Sequence, residues 1–192
     1  PGEPVPAQWG TRVRCVTGDV RTLVSLREQI GPVDAIFHLA AVVGDWGAKQ
    51  EHVDITVHGT EQAIDLAIGW GAHFVVTTSV CAYASALAKG RLDEDSPVGL
   101  PSSPYEFVKQ EQERVTLAGV ARGLKATIVR PGNVYGVGSL WVNSFLPMLR
   151  AQKPCLMGSG EWDAGLVHVN NLVSILIAAA RSECTRGEVF IA

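Results

Sequence analysis

Val33-Asp34-Ala35-Ile36-Phe37-His38-Leu39-Ala40-Ala41 (VDAIFHLAA) reads as a strand that ends in two small residues. The apolar run over Val33–Leu39 has strand length, and Gly31-Pro32 ahead of it marks a turn. A long helix is predicted next, from about Glu51 to Trp70, with Val53, Val57, Ile64 and Ile68 recurring at helical spacing and Gly69 and Gly71 flanking its end. His73–Thr78 (HFVVTT) then returns to strand character. Strand, helix and strand in this order predict parallel pairing through a crossover.

The same alternation extends both ways. Upstream, Arg12–Val16 reads as a strand, followed by Thr17-Gly18-Asp19 and a helix from about Arg21 to Gln29. Downstream come a helix opening at Ser103-Pro104 and running to about Arg122, a strand at Lys125–Arg130, an irregular Gly-rich stretch from Pro131 to Gly138, and a helix over Leu140–Ala151. Short strands are predicted at Pro154–Met157, Leu166–His168 and Glu188–Ile191, with a helix over Asn171–Arg181 between the last two. The pattern is that of an α/β fold, a parallel sheet with crossover helices.

Composition bounds the function. With 192 residues, 47% hydrophobic and 18% charged, and a net charge of −3, the chain can fill a core and shows no basic surface suited to nucleic acid. Small-molecule or protein partners are expected. Cys15, Cys81, Cys155 and Cys184 lack metal-ligand spacing and read as reduced thiols in or near the core of a cytoplasmic protein. The longest apolar runs, such as Leu172–Ala180, are too short to span a bilayer. The opening PGEPVPAQWG reads as a loop without an initiator methionine, so the chain is expected to be a segment of a longer protein.

In open α/β sheets ligands gather at the carboxyl ends of the strands. Asp19, Ala40-Ala41, Thr78-Ser79 and Pro131-Gly132-Asn133 all fall there. In Ser102-Ser103-Pro104-Tyr105-Glu106-Phe107-Val108-Lys109 (SSPYEFVK), Tyr105 and Lys109 lie about 40° apart on one helix face. An ammonium beside a phenol favours the phenolate, so the pair could do acid–base work near neutrality. The pair alone is a weak signal.

Its company strengthens it. GDV at Gly18–Val20, FHLAA at Phe37–Ala41, HGT at His58–Thr60, TTSVCAY at Thr77–Tyr83, SPYEFVK, RPGNVYGVG at Arg130–Gly138 and HVNNLV at His168–Val173 occur in this order. The chain thereby resembles the extended short-chain dehydrogenase/reductase family, also called the NAD-dependent epimerase/dehydratase family. Its wording is similar to the 3β-hydroxysteroid dehydrogenase branch.

The resemblance implies an α/β Rossmann-type, doubly wound parallel sheet lacking its N-terminal β-α-β, with residues 1–135 a partial dinucleotide-binding domain and residues 136–192 an incomplete substrate-binding region interleaved with the last sheet elements. It implies NAD or NADP as cofactor. Asp19 and Val20 would meet the adenine, and Leu39, Ala40 and Ala41 the phosphate and ribose. Thr56 and Thr77 would also be on the cofactor side, Tyr105 and Lys109 would hold the nicotinamide ribose, and Pro131 and Val134 would lie beside the nicotinamide. Ser79, Tyr105 and Lys109 would form the catalytic set, with Lys109 depressing the tyrosine pKa. Trp46, Cys81 and Asn133 are candidate substrate contacts, although Trp46 also fits a core position and Asn133 a turn. No metal is implied. A homodimer through helices 51–70 and 104–122 is possible.

On their own residues, Thr77 and Thr78 are ordinary strand positions, His38 is a packed core histidine, and His168 bonds backbone. Trp141, Phe145 and Leu146 could line an apolar pocket.

Two departures stand out. Thr56 occupies the place where the family usually has asparagine, and the glycine-rich fingerprint that receives the pyrophosphate at a helix N-terminus does not occur. Without it the chain is expected either to be part of a longer protein or to bind dinucleotide weakly. NAD cannot be told from NADP. The sugar dehydratases carry Asp-Glu directly after the position of Ser79, where this chain has Val80-Cys81, which argues against dehydration. An alcohol/ketone oxidoreductase is the leading expectation, a nucleotide-sugar epimerase the second, and a non-catalytic cofactor sensor or scaffold the third.

Overall fold

Four strands form one parallel sheet: β1 (Ala35–His38), β2 (His73–Thr77), β3 (Lys125–Arg130) and β6 (Val189–Ile191), in the spatial order β1-β2-β3-β6. Register is set by pairs such as Phe37 with Val75, Val75 with Thr127, and Val129 with Phe190. The computed structural model describes residues 7–153, 159–161 and 163–192. Two short strands, β4 (Asn133–Tyr135) and β5 (Leu166–His168), pair in parallel as a separate sheet.

The period of two along each strand sorts side chains onto two faces. Phe74, Val76, Ala126 and Ile128 go to one face. There they pack with Val57, Ala63, Ile64 and Ala67, and with Val108 and Val115. Val57 comes from the π segment Val53–His58, and the others from α3 (Gly59–Trp70) and α4 (Pro104–Ala121). Val75 and Val129 go to the other face, against Leu172, Leu176 and Ala179 of α6 (Val169–Arg181). The result is a three-layer sandwich whose central strands, buried on both faces, need continuous apolar sequence.

The long helix is less regular than its sequence suggests. It begins at α2 (Lys49–His52), widens into a π segment at Val53–His58, and continues as α3 to Trp70. Gly71, at φ 67°, closes it in the left-handed conformation. Gly59 is needed for contact, since a Cβ there would fall 2.8 Å from Val20 Cγ1. The chain after Asp19 can therefore lie directly on this helix.

Several expectations are corrected. Arg12–Val16 is in neither sheet: a 3₁₀ turn over Ala7–Arg12 precedes it, and no described strand lies beside it to complete its hydrogen bonds. The helix expected at Arg21–Gln29 is a 3₁₀ segment, Val20–Leu26, running into the single turn α1 (Arg27–Ile30). Asn133–Tyr135, expected to be irregular, is a strand because β5 comes alongside it. Cys15 and Cys184 are exposed and Cys81 is half-buried, all three as free thiols, so the core assignment fails for the exposed pair. Cys155, and the strand expected at Pro154–Met157, lie outside the described residues. The helix α5 (Leu140–Arg150) forms where expected.

Candidate active site

Ser79 and α4 meet at the carboxyl end of β2. Beyond Thr77 the chain stays tied to the neighbouring strand, with Thr78 N–H donating to Val129 O at 2.8 Å and Val80 N–H to Pro131 O at 3.0 Å. Ser79 is buried in extended conformation and caps the 3₁₀ segment Val80–Lys89, its Oγ accepting from Cys81 N–H at 3.1 Å. Its position is set by backbone on both sides.

Tyr105 sits in the first turn of α4, and that turn is locked by its own sequence. Ser103 Oγ accepts from Glu106 N–H at 3.2 Å, Glu106 Oε2 accepts from Ser103 N–H at 3.3 Å, and Pro104 occupies the first helical position. This capping box satisfies amide groups that would otherwise lack partners and fixes the angle at which Tyr105 leaves the helix. Lys109, one turn on, is only 3% exposed.

Lys109 Nζ donates to Thr77 O at 3.3 Å and to Gln112 Oε1 at 3.0 Å, and it stands 5.6 Å from the centroid of the Tyr105 ring. Burial depresses its pKa to about 8, against the pull of Cys81 and Glu113. Burial likewise raises the Tyr105 pKa; the Ser79 hydroxyl beside it lowers the value, and Cys81 and Asp45 raise it further. The expected depression of the tyrosine by Lys109 is thus not found. A half-desolvated phenolate is costly, and the ammonium spends its hydrogen bonds on Thr77 and Gln112.

A second buried pair ties α4 to β3. Arg130 grips Glu113 in a fork, Nη2 to Oε2 at 2.7 Å and Nε to Oε1 at 2.9 Å, while Thr78 Oγ1 donates to Glu113 Oε1 at 2.8 Å. Arg130 Nη1 also donates to Tyr83 OH at 2.7 Å, and Tyr83 OH donates to Asp93 O at 2.6 Å. Sequence reasoning quoted Arg130 and Tyr83 inside motifs but gave neither a role, and it missed Glu113 and Gln112. The available signal was their one-turn spacing from Lys109, on the helix face that also carries the buried Val108 and Val115.

The remaining expected residues fall along the same strand ends. Asp19 caps the Val20–Leu26 segment, accepting from Arg21 N–H at 2.9 Å, and the Arg21 guanidinium holds its pKa down at about 2. A groove of about 390 Å³ is lined by Gly18, Asp19, Val20, His38, Leu39 and Ala40 among others. Thr56 is fully buried and its Oγ1 accepts from Val42 N–H at 3.1 Å, so it holds the loop that follows Ala40-Ala41. His38 is packed as expected, stacked on Phe74 and bonded to Thr60, with burial lowering its pKa to about 4, helped by the charge on Lys109. His168 Nδ1 accepts from Asn170 N–H at 3.2 Å, also as expected.

Pro131 is buried beside Ser79, and Val134 is half-buried in β4. Asn133 Nδ2 donates to Ala164 O at 2.6 Å. Trp46 is 91% exposed, and its carbonyl bonds His52 Nε2. Trp141, Phe145 and Leu146 do come together. With Tyr135, Val142 and Leu166 they line an almost wholly apolar cavity of about 370 Å³, the rings of Trp141 and Phe145 stacked at 5.1 Å.

Among the described residues no helix is long and apolar enough to cross a membrane, and no cluster of His, Cys, Asp and Glu could hold a metal ion.

The chain is similar in sequence and fold to known proteins. A 3beta-hydroxysteroid-dehydrogenase/decarboxylase of Arabidopsis thaliana is 24% identical over 184 residues, covering 93% of this chain and 33% of that protein. Sterol demethylase protein B of Methylococcus capsulatus is 32% identical over 135 residues, 69% of this chain and 41% of that protein. Among solved structures, the dTDP-glucose 4,6-dehydratase DesIV of Streptomyces venezuelae, with NAD and DAU bound, superposes with a TM-score of 0.80 at 27% identity, over 97% of this chain and 60% of that one. The chain thus spans well under two thirds of the length of these relatives. The model of the NAD dependent epimerase/dehydratase family matches residues 3–191, and the chain belongs to that family.

Proposed function

We propose that the protein is a nicotinamide-dependent oxidoreductase that interconverts a secondary alcohol and a ketone on an apolar substrate, with Tyr105 as general acid/base. The observation that carries this reading is the convergence of Ser79, Tyr105 and Lys109 at the end of β2, from two elements fixed independently by a cap and a capping box.

The strand ends fit a dinucleotide. Thr77 Oγ1 is buried without a hydrogen-bond partner, next to the carbonyl that Lys109 grips. An orphaned hydroxyl at this edge suits a ribose or carboxamide group. Asp19, Val20, Leu39, Ala40 and Ala41 would hold the adenosine half in the groove. Thr77, Tyr105, Lys109, Pro131 and Val134 would hold the nicotinamide half. When bound, the cofactor would donate or accept the hydride.

The residues of this chain do the rest. Tyr105, with its pKa above the ordinary phenol value, is protonated across the neutral range and would give that proton to the carbonyl oxygen during reduction. Ser79 would orient the same oxygen. Lys109, its pKa lowered by burial to about 8, stands 5.6 Å from the Tyr105 ring centroid and would supply the proton that restores the phenol. In oxidation the proton would run the other way.

The apolar cavity around Trp141 and Phe145 supports a hydrophobic substrate, as does the likeness to sterol-acting relatives. Nucleotide-sugar epimerisation is the second reading, favoured by solved neighbours such as MoeE5 with UDP-glucose and NAD, 28% identical. A screen of NAD and NADP reduction by the protein, with hydroxysteroids and sugar nucleotides side by side, separates them. Turnover on hydroxysteroids supports the first reading, and activity confined to sugar nucleotides overturns it.

A further inference from the structure

We propose that Gln112 is a positioning residue for Lys109, holding its amine at the end of β2 through a buried hydrogen-bond chain that runs from α4 through Thr60 on α3 to His38 on β1. This rests on the function proposed above, and it concerns a side chain that touches neither substrate nor cofactor.

The chain is continuous. Lys109 Nζ donates to Gln112 Oε1 at 3.0 Å, Gln112 Nε2 donates to Thr60 Oγ1 at 3.0 Å, and His38 Nε2 lies 3.0 Å from the same hydroxyl. Gln112 and Thr60 are fully buried and His38 nearly so. Thr60 spends its single hydrogen on Thr56 O at 2.5 Å, so its oxygen must accept from both neighbours. His38 is therefore protonated on Nε2, and the Gln112 amide has one orientation only: NH₂ toward Thr60, oxygen toward Lys109. The Gln112 oxygen presented to the lysine is thereby held by side chains on two further elements, α3 and β1, and turning it away would break the buried Gln112–Thr60 bond.

The purpose follows from chemistry. A lysine on a four-carbon stem has many rotamers, and its amine must stay near Tyr105 while keeping N–H groups for a ligand. Thr77 O and Gln112 Oε1 take two of its three N–H groups and leave the third free among the described residues. Charged and titratable groups facing Lys109 are Tyr105 and Glu113 on its own helix, Cys81 after β2 and His38 on β1; Glu113 is already engaged by Arg130. A neutral acceptor steadies the ammonium without pairing it off, whereas a carboxylate at this position would fix the charge.

The test uses the protein labelled with ¹³Cε-lysine, following the Lys109 titration by NMR in the wild type, Gln112→Met and Gln112→Glu. A hydrogen bond to a charged group is worth enough to move the Lys109 midpoint by about one pH unit, downward in Gln112→Met and upward in Gln112→Glu. If turnover is present, kcat should fall about tenfold or more in both with KM little changed, and the alkaline limb of the rate profile should follow the shifted midpoints. Unchanged midpoints in folded variants overturn the proposal. Should the variants not fold, the wild type decides through the His38 tautomer, read from ¹⁵N–¹H long-range couplings: an Nδ1–H imidazole breaks the chain. Absence of nicotinamide-dependent turnover in the wild type would instead overturn the function proposed above, leaving these NMR results to stand by themselves.

Discussion

Arg130 and Glu113 form a forked, buried ion pair, with both side chains about 7% exposed, that clamps helix α4 onto strand β3 one turn beyond Lys109. The helix that presents Tyr105 and Lys109 is thus held to the sheet at two levels: a polar cap at its start and a charge pair in its middle.

Removing one partner should be severe. Glu113→Leu leaves Arg130 buried with no counter-charge, and a loss of about 3–5 kcal/mol is expected in urea unfolding. Replacing both by apolar residues, Glu113→Leu with Arg130→Met, should recover most of that loss, because the desolvation penalty disappears with the charges. A double variant no more stable than the single one would contradict the assignment.

Tyr105→Phe should leave the fold intact, since Phe keeps the ring against Lys109. Turnover should fall by about 10²–10⁴, the range that a positioned proton donor contributes. Cofactor binding measured by fluorescence should weaken far less. Retention of more than a tenth of the rate would remove Tyr105 from the mechanism.

Lys109 makes a pH signature of its own. Its folded pKa, about 8, lies below the ordinary value of 10.5, so between those values the unfolded chain binds more protons than the folded one. Stability from this group therefore rises with pH across that window, and below it the buried charge costs up to about 3 kcal/mol. Lys109→Met should be the more stable protein near pH 7, with little activity. Its advantage in melting temperature should shrink as pH rises from 8 toward 10.

His38 acts on the acid side. Its folded pKa of about 4 lies below the ordinary 6.5, because the ring is buried and faces Lys109. Its contribution is complete above 6.5 and lost as pH falls toward 4, by up to about 3 kcal/mol. His38→Gln should unfold less steeply between pH 6.5 and 4 than the wild type.

Trp141→Ala tests the apolar cavity. Losing a large aromatic face from one wall should raise KM for an apolar substrate by about tenfold or more, with the cofactor KM unchanged. Equal effects on both would place the cavity outside the substrate path.

The α/β class, most of the element order and the shared helix face of Tyr105 and Lys109 were readable from residues alone, whereas the grouping of Ser79 with them was implied by the family resemblance. Local signals suffice there: a strand buried on both faces must be largely apolar, and Ser103-Pro104 with Glu106 writes a helix start into four letters. Arg12–Val16 shows the limit. Its composition is that of a strand, but a strand exists only where a neighbour completes its hydrogen bonds, and no described strand lies beside it. Asn133–Tyr135 is the converse, a Gly-flanked stretch made into a strand by the arrival of Leu166–His168.

Spacing four residues apart on a helix brings Tyr105 and Lys109 to one face, and that much depends on nothing beyond the chain's own periodicity. Charge states and partners depend on what the fold packs around them. The tyrosine rises and the lysine falls because burial taxes both charged forms, and the lysine bonds Gln112 and Thr77 because three elements converge there. Desolvation and long-range hydrogen bonding are properties of residues distant in sequence and close in space, so only the tertiary structure could decide them.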